Sequence, residues 1–340
     1  MAPCDGQAAE YMMPQNAAAA TANIRDSSVS HATQAQDAVI FAGQFAGAAG
    51  AENVAGSHSY LRAKAILMIP AFVGVTGLPR AGSTLLCQLL AQHPEIHCEG
   101  HSSPLCNTLL GIRRMISEDT FFLSQLDTQF EQSYAHLTSA MQGFLRGWHH
   151  DCGKQAVVDK NRAWLHAIEL LLHIEPNAKL IVCLRELGQI YGSIEAQHQR
   201  TILVDFIDHL ADFDRFGRAD MLFAKDKAIG APLISLHAVA DLPKHVQERL
   251  YFIRFEDLME RPSACMAHLY SWLGLSPFEI DPDHLAIGVQ ESDSHYHMKY
   301  SHKQARQISK PKRHDIPPRI QAQIETACSW FYQLYYPQKK

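Results

Sequence analysis

Arg80 stands in a stretch built to hold an anion. Val73-Gly74-Val75-Thr76-Gly77-Leu78-Pro79-Arg80-Ala81-Gly82-Ser83-Thr84-Leu85-Leu86 reads as an apolar strand, a glycine turn and an amphipathic helix. In that order the N–H groups of the turn and of the first helical turn point into one concavity, and the helix dipole adds partial positive charge. Gly77 to Gly82 has the G-x-x-x-x-G spacing of a P-loop, but Ser83 follows where nucleotide kinases and NTPases carry lysine. The cation sits inside the loop instead, at Arg80, and the hydroxyls of Ser83 and Thr84 can donate to the same anion. An isolated GxxxxG would more often be a plain connection, whereas Pro-Arg-x-Gly-Ser-Thr-Leu-Leu after a strand is more specific.

That string resembles the 5′-phosphosulfate loop of sulfotransferases that use 3′-phosphoadenosine 5′-phosphosulfate (PAPS), which reads Pro-(Lys or Arg)-Ser-Gly-(Thr or Ser)-Thr. Ala81 departs from it, at the expense of one hydroxyl contact. The resemblance implies that Arg80, Ala81, Gly82, Ser83 and Thr84 line the 5′ phosphosulfate, with Arg80 neutralising the bridging oxygen as the sulfur leaves. It also implies a second anion site, an Arg at a strand end and a Ser on the next helix. Lys179-Leu180-Ile181-Val182-Cys183-Leu184-Arg185 ends a strand, and Ser193 follows at the family's eight-residue step, within two helical turns. Leu187 replaces a frequent family proline. By itself Arg185 would be an ordinary partner for Glu186 or a helix cap.

Three further segments extend the resemblance. Tyr251 to Leu258, followed by Arg261-Pro262, is similar to the family strand that ends Tyr-Glu-Asp-Leu, with Phe255 in place of the tyrosine near the adenine. The basic stretch Ser301 to Arg313 occupies the place of the loop that closes over the nucleotide, and Lys310 and Arg313 are its candidate contacts. A solvated charge run is an equally good description of any one of them. Lys160 follows an apolar run and resembles a lysine that tyrosylprotein sulfotransferases and bacterial relatives present between the two phosphate motifs; an ion pair with Asp159 is the competing role.

Sulfuryl transfer needs in-line attack, neutralisation of the leaving oxygen and a base for the acceptor proton. The segment His93 to Leu105 resembles the post-helix loop that supplies the catalytic glutamate of tyrosylprotein sulfotransferases. Ungapped carry-over from Arg80 places that base at His101, and Glu99 is the nearest carboxylate. An imidazole suits the task without tuning, so His101 is preferred over Glu99.

The elements that must position these groups follow from periodicity. Short apolar runs alternate with amphipathic segments from Ala65 onward, which predicts strands at 72–76, 156–159, 180–184 and 250–254 and helices at 83–92, 120–146, 163–174, 187–200, 203–216, 263–273 and 318–335. The fold class expected is α/β, a P-loop-like three-layer arrangement with a central, mostly parallel sheet flanked by helices. Residues 1–62 are rich in Ala, Gly, Ser and Gln and read as a low-complexity tail or linker, leaving 63–340 as the catalytic domain. A basic, polar stretch between Asp281 and Pro318 reads as a long functional loop.

Bulk properties narrow the function classes. Against 30 Lys and Arg stand 35 Asp and Glu, a formal net charge of -5, which argues against a general nucleic-acid or anionic-membrane binder and makes any anion site local. Eight cysteines without CxxC pairing suggest reduced thiols and a cytoplasmic location, and the 20 histidines show no zinc-ligand spacing, so no metal is expected. Ala65 to Val75 is too short and turn-bound to span a bilayer. The acceptor is open: a small molecule, carbohydrate, lipid, peptide or carrier-bound group, with Phe121, Phe122, Trp148 and Trp164 as candidate linings or as core. The competing readings are a P-loop kinase or NTPase, with Asp159 as its Mg²⁺ ligand, and an inactive nucleotide-binding protein.

Overall fold

The computed structural model describes residues 70–205, 209–287, 304–309 and 313–337. Residues 1–69, which include the expected tail, and Lys310 lie outside that set. Five strands make one parallel sheet in the order β2-β3-β1-β4-β5, where β1 is Ala71–Gly77, β2 Ile96–Ser102, β3 Ala156–Lys160, β4 Lys179–Leu184 and β5 Leu250–Arg254. Between them run α1 (Ser83–Leu90), α2 (Leu105–Glu118), α3 (Thr120–Trp148), α4 (Ile168–Ile174), α5 (Leu187–Arg200), α6 (Arg215–Phe223), α7 (Gly230–Ala238) and α8 (Lys244–Gln247). After β5 come α9 (Phe255–Glu260), α10 (Pro262–Leu273), α11 (Pro318–Ala327) and α12 (Ser329–Tyr335). No helix among the described residues is long and apolar enough to cross a membrane.

β1 is central and all but its first residue is buried, because helical layers cover both sheet faces and its side chains have no exposed side to alternate toward. On one face Cys87 of α1 is buried; on the other, Trp164 of a 3-10 turn (Arg162–Leu165) packs edge-on against Phe72, ring centroids 5.3 Å apart. The Trp164 indole donates to Asp159 Oδ1 at 2.7 Å, and both residues are buried. Trp164→Phe should therefore cost about 1–3 kcal/mol, because it strips a donor from an enclosed carboxylate. Urea denaturation read by circular dichroism checks this.

The four expected strands are present, and β2 is an addition. His97-Cys98-Glu99-Gly100-His101 has no apolar alternation to announce a strand. It pairs with β3 through a bulge, since Cys98 pairs with Val158 and Ser102 with Lys160. The helix expected over 203–216 is corrected: Leu210–Asp212 is a 3-10 turn and α6 starts at Arg215, capped by Asp214, whose Oδ1 accepts from Gly217 N at 2.7 Å. That cap fixes the helix start by satisfying an orphan N–H group. The expected helix at 163–174 is divided into the 3-10 turn and α4, and that at 318–335 into α11 and α12 at Cys328.

Candidate active site

Site residues gather at the carboxyl edge of the sheet, where parallel α/β folds leave a crevice. β1 ends at Gly77 with φ of +120°, and a Cβ there would stand 2.2 Å from Cys183 O, so only glycine permits β4 to run alongside. The loop then turns through Arg80 (φ 57°) to Gly82 (φ 84°), the N-cap of α1. No side chain caps α1, so the dipole and first-turn N–H groups of Ser83 and Thr84 face the loop's concavity. Ala81 is buried in the core, so the methyl group at the family's serine position packs inward.

The loop meets the second motif directly. Arg185 donates from Nη1 to Arg80 O at 2.8 Å, and Arg80 Nε lies 3.2 Å from Ser193 Oγ as donor. Two motifs more than a hundred residues apart thus form one cationic cluster. The Phe255 ring joins them: Arg185 lies over it at 4.5 Å, and a Cβ on Gly82 would stand 2.6 Å from Phe255 Cδ2. Burial pushes Arg185 below its ordinary value, Glu256 opposes that shift and Arg80 adds to it. Its Nε is enclosed and has no hydrogen-bond partner among the described residues. A buried cation beside a second cation, with an unused donor, is a site that an anion would relieve.

Glu186 is not the partner of Arg185 that local reading allowed. Its carboxylate caps α5, accepting from Gly188 N at 3.0 Å and Gln189 N at 2.8 Å, and also takes Tyr332 OH at 2.5 Å. Glu256 Oε1 accepts from Glu186 N at 3.1 Å, and its Oε2 accepts from Tyr336 OH at 2.8 Å. The turn after β4 is thereby braced by α9 and α12. Neither Glu256 nor the C-terminal tyrosines carried a sequence signal for this, because the contacts join elements 70 to 150 residues apart.

Beside Arg185 opens a cavity of about 690 Å³, lined also by Phe255, Met259, Ile308, Tyr336 and Arg313. Arg313 is exposed at that cavity, while Lys310 lies outside the described residues. Gln88 of α1 donates to Ala286 O at 2.9 Å and Ala305 O at 3.0 Å, so both described limbs of the long loop are pinned to the helix that starts at the phosphate turn.

Lys160 ends β3, buried, with Nζ donating to Thr84 Oγ1 at 3.2 Å. Successive strand residues face opposite sides. Asp159 accordingly turns the other way, to Trp164 and to His149 Nε2 at 3.7 Å. An ion pair inside the Asp159-Lys160 dipeptide is thus not the role of Lys160. The same burial withdraws Asp159 as the Mg²⁺ ligand that a kinase reading required.

The base candidates sit together on β2. His101 Nε2 is 3.3 Å from Glu99 Oε2, and His97 Nε2 is 3.7 Å from Glu99 Oε1. Alternating positions of β2 share one side of the strand, and Gly100 lies between Glu99 and His101 at φ 83°. His101 Nδ1 is enclosed, without a partner among the described residues. Of the aromatic linings considered, Trp164 is core, whereas Phe121 and Trp148 are exposed.

Comparison with known proteins identifies the family of this chain. A family model described as "Sulfotransferase family" matches residues 70–279. Protein-tyrosine sulfotransferase 1 of Danio rerio is 27% identical over 208 residues, 60% of this chain and 52% of that protein. Nodulation protein NoeE of Sinorhizobium fredii is 23% identical over 244 residues, 66% of this chain and 54% of that protein. The chain thus spans about half the length of these relatives. Among solved structures, the sulfotransferase domain from the curacin biosynthetic pathway aligns at 17% identity with a TM-score of 0.40, covering 76% of this chain and 98% of that one. With a family model matched over more than half its length, from β1 through α10, this chain belongs to the sulfotransferase family.

Proposed function

We propose that this protein transfers a sulfuryl group from PAPS to a hydroxyl-type acceptor, in line and without a metal. The observation that carries the reading is the cluster of Arg80, Arg185 and Ser193, in which a buried guanidinium nitrogen keeps a donor that no described protein group uses. PAPS would supply an activated sulfuryl group and leave as the 3′,5′-bisphosphate PAP. The residues fit such a molecule: Arg80, Ala81, Gly82, Ser83 and Thr84 hold its 5′ end, Arg185 and Ser193 its 3′ phosphate, and Phe255 with Arg313 and Lys310 the nucleoside side. Lys160 and Arg80 neutralise charge at the leaving oxygen. His101, whose Nε2 lies 3.3 Å from Glu99 Oε2, accepts the acceptor's proton, with Glu99 as the alternative base.

Two readings compete. A kinase needs a lysine at Ser83 and an exposed acidic metal ligand, and the enclosure of Asp159 weighs against it. An inactive nucleotide-binding protein would retain the cluster but not turn over. Calorimetric titration with PAP, then labelled-PAPS transfer to acceptor pools, separates them: PAP binding with transfer is expected. ATP hydrolysis with Mg²⁺ in place of PAP binding would overturn the reading. The name of the Danio rerio relative makes a tyrosine peptide the first acceptor to try, with carbohydrate, lipid, small-molecule and carrier-bound pools after it. A cytoplasmic location belongs to the same proposal and is supported by the described cysteines being free thiols.

A further inference from the structure

The chain returns from its long loop across α5, and that crossing is built with care. Gln189 grips the main chain of His314 from both sides: Gln189 Nε2 donates to His314 O at 3.1 Å, and His314 N donates to Gln189 Oε1 at 2.8 Å. One turn on, α5 carries Gly192, where a Cβ would stand 2.5 Å from His314 Cβ and 2.4 Å from Ile316 Cδ1. The clamp and the glycine therefore seat residue 314 against α5 next to Ser193, whose hydroxyl meets Arg80. The return segment lies between two cavities: Arg313 lines the one that contains Arg185, while His314 and Asp315 line a second, of about 410 Å³, with Gly192, Glu195 and Arg215.

We propose that His314 is a further ligand of the 3′ phosphate, and that its imidazole takes up a proton as that phosphate binds. The proposal rests on the PAPS reading and adds a residue and a proton to it. His314 is half-buried, and among the described residues the charged groups around it are Arg80 on the loop, Arg185 at the end of β4, Glu195 on α5, Arg215 at the start of α6, and its neighbours Arg313 and Asp315. Glu195 is held by Arg218 through contacts of 2.6 and 2.8 Å, which leaves it little charge to lend the imidazole. Burial, then Arg185, then Arg80 push His314 below its ordinary value. All three act against the imidazolium in the free protein. A dianionic phosphate against the same arginines reverses the local field and favours the imidazolium.

The sign follows. Where the free imidazole is neutral and the bound one charged, binding takes up a proton and affinity rises as pH falls. Well above the bound value both states are neutral and the effect vanishes.

The test uses the full chain, PAP and AMP, and calorimetry in buffers of different ionisation enthalpy, comparing the parent with His314→Gln. Because Gln189 holds the main chain rather than the ring, the substitution leaves the clamp in place. The variant should bind PAP about tenfold more weakly near pH ~6, match the parent near pH ~8.5, and lose the extra proton uptake. AMP, without a 3′ phosphate, should bind both proteins alike. The phosphate's own titration is common to parent and variant and cancels in the difference. If the parent itself does not bind PAP, the donor reading falls first. If the parent binds PAP and His314→Gln matches it at both pH values, or loses affinity equally at both or toward AMP as well, the His314 proposal is overturned. Gln189→Ala supplies a second variant with the imidazole intact, and it should weaken PAP binding by unseating the return segment. PAP affinity unchanged in it would also count against the proposal.

Discussion

Arg185→Ala is expected to weaken PAP binding by about a hundredfold or more, some 3 kcal/mol, while the protein stays folded. The magnitude is that of removing one partner from a desolvated, hydrogen-bonded charge pair. Arg185 is placed for such a loss. It is buried, its Nη1 is spent on Arg80 O, and its Nε has no described partner until an anion arrives. Its removal also frees Arg80 O in a half-buried turn, so the folding cost should be about 1–3 kcal/mol. Arg80→Ala should behave in the same sense, since its guanidinium meets Ser193 in the same cluster. Calorimetry with PAP and thermal denaturation read the two quantities separately. Variants that are folded and bind PAP like the parent would end the site assignment.

The second large effect concerns turnover. His101→Ala should lower the transfer rate by about 10²–10⁴-fold, the usual contribution of a positioned base, with PAP affinity little changed. Because Glu99 stands 3.3 Å from the imidazole, Glu99→Gln should also slow transfer. The measurement is initial rate against pH with an acceptor found in the pool screen. An unchanged rate in His101→Ala moves the base to Glu99 or elsewhere.

The glycine turn after β1 could be read directly because each of its requirements is local. An apolar strand, glycines where the backbone must turn left-handed and a short run into a helix are encoded within fourteen consecutive residues, and β1, the loop and α1 form as read. The same holds for Arg185 and Ser193: one strand end and two helical turns fix their separation, whatever the rest of the chain does. Lys160 was partly legible. Its residue type and place were visible, but its partner was decided by strand alternation, which sent Asp159 to Trp164 and Lys160 to Thr84.

β2 shows where local reading stops. His97, Glu99 and His101 have no intrinsic preference that announces a strand, and they become one only because β3 offers an edge and a bulge absorbs the extra residues. Their grouping around a single carboxylate is thus a product of pairing.

What the order of residues settled alone was the strand, glycine turn and helix around Arg80, the parallel α/β class and the spacing of Arg185 and Ser193, because short-range geometry is complete within each segment. Tertiary structure decided the rest: that the two cationic motifs touch, that Phe255 bridges them, that Glu256, Tyr332 and Tyr336 brace the turn, and that His314 is carried back to α5 by Gln189. Those contacts join residues 70 to 173 positions apart, and only the packed core sets the distance between them.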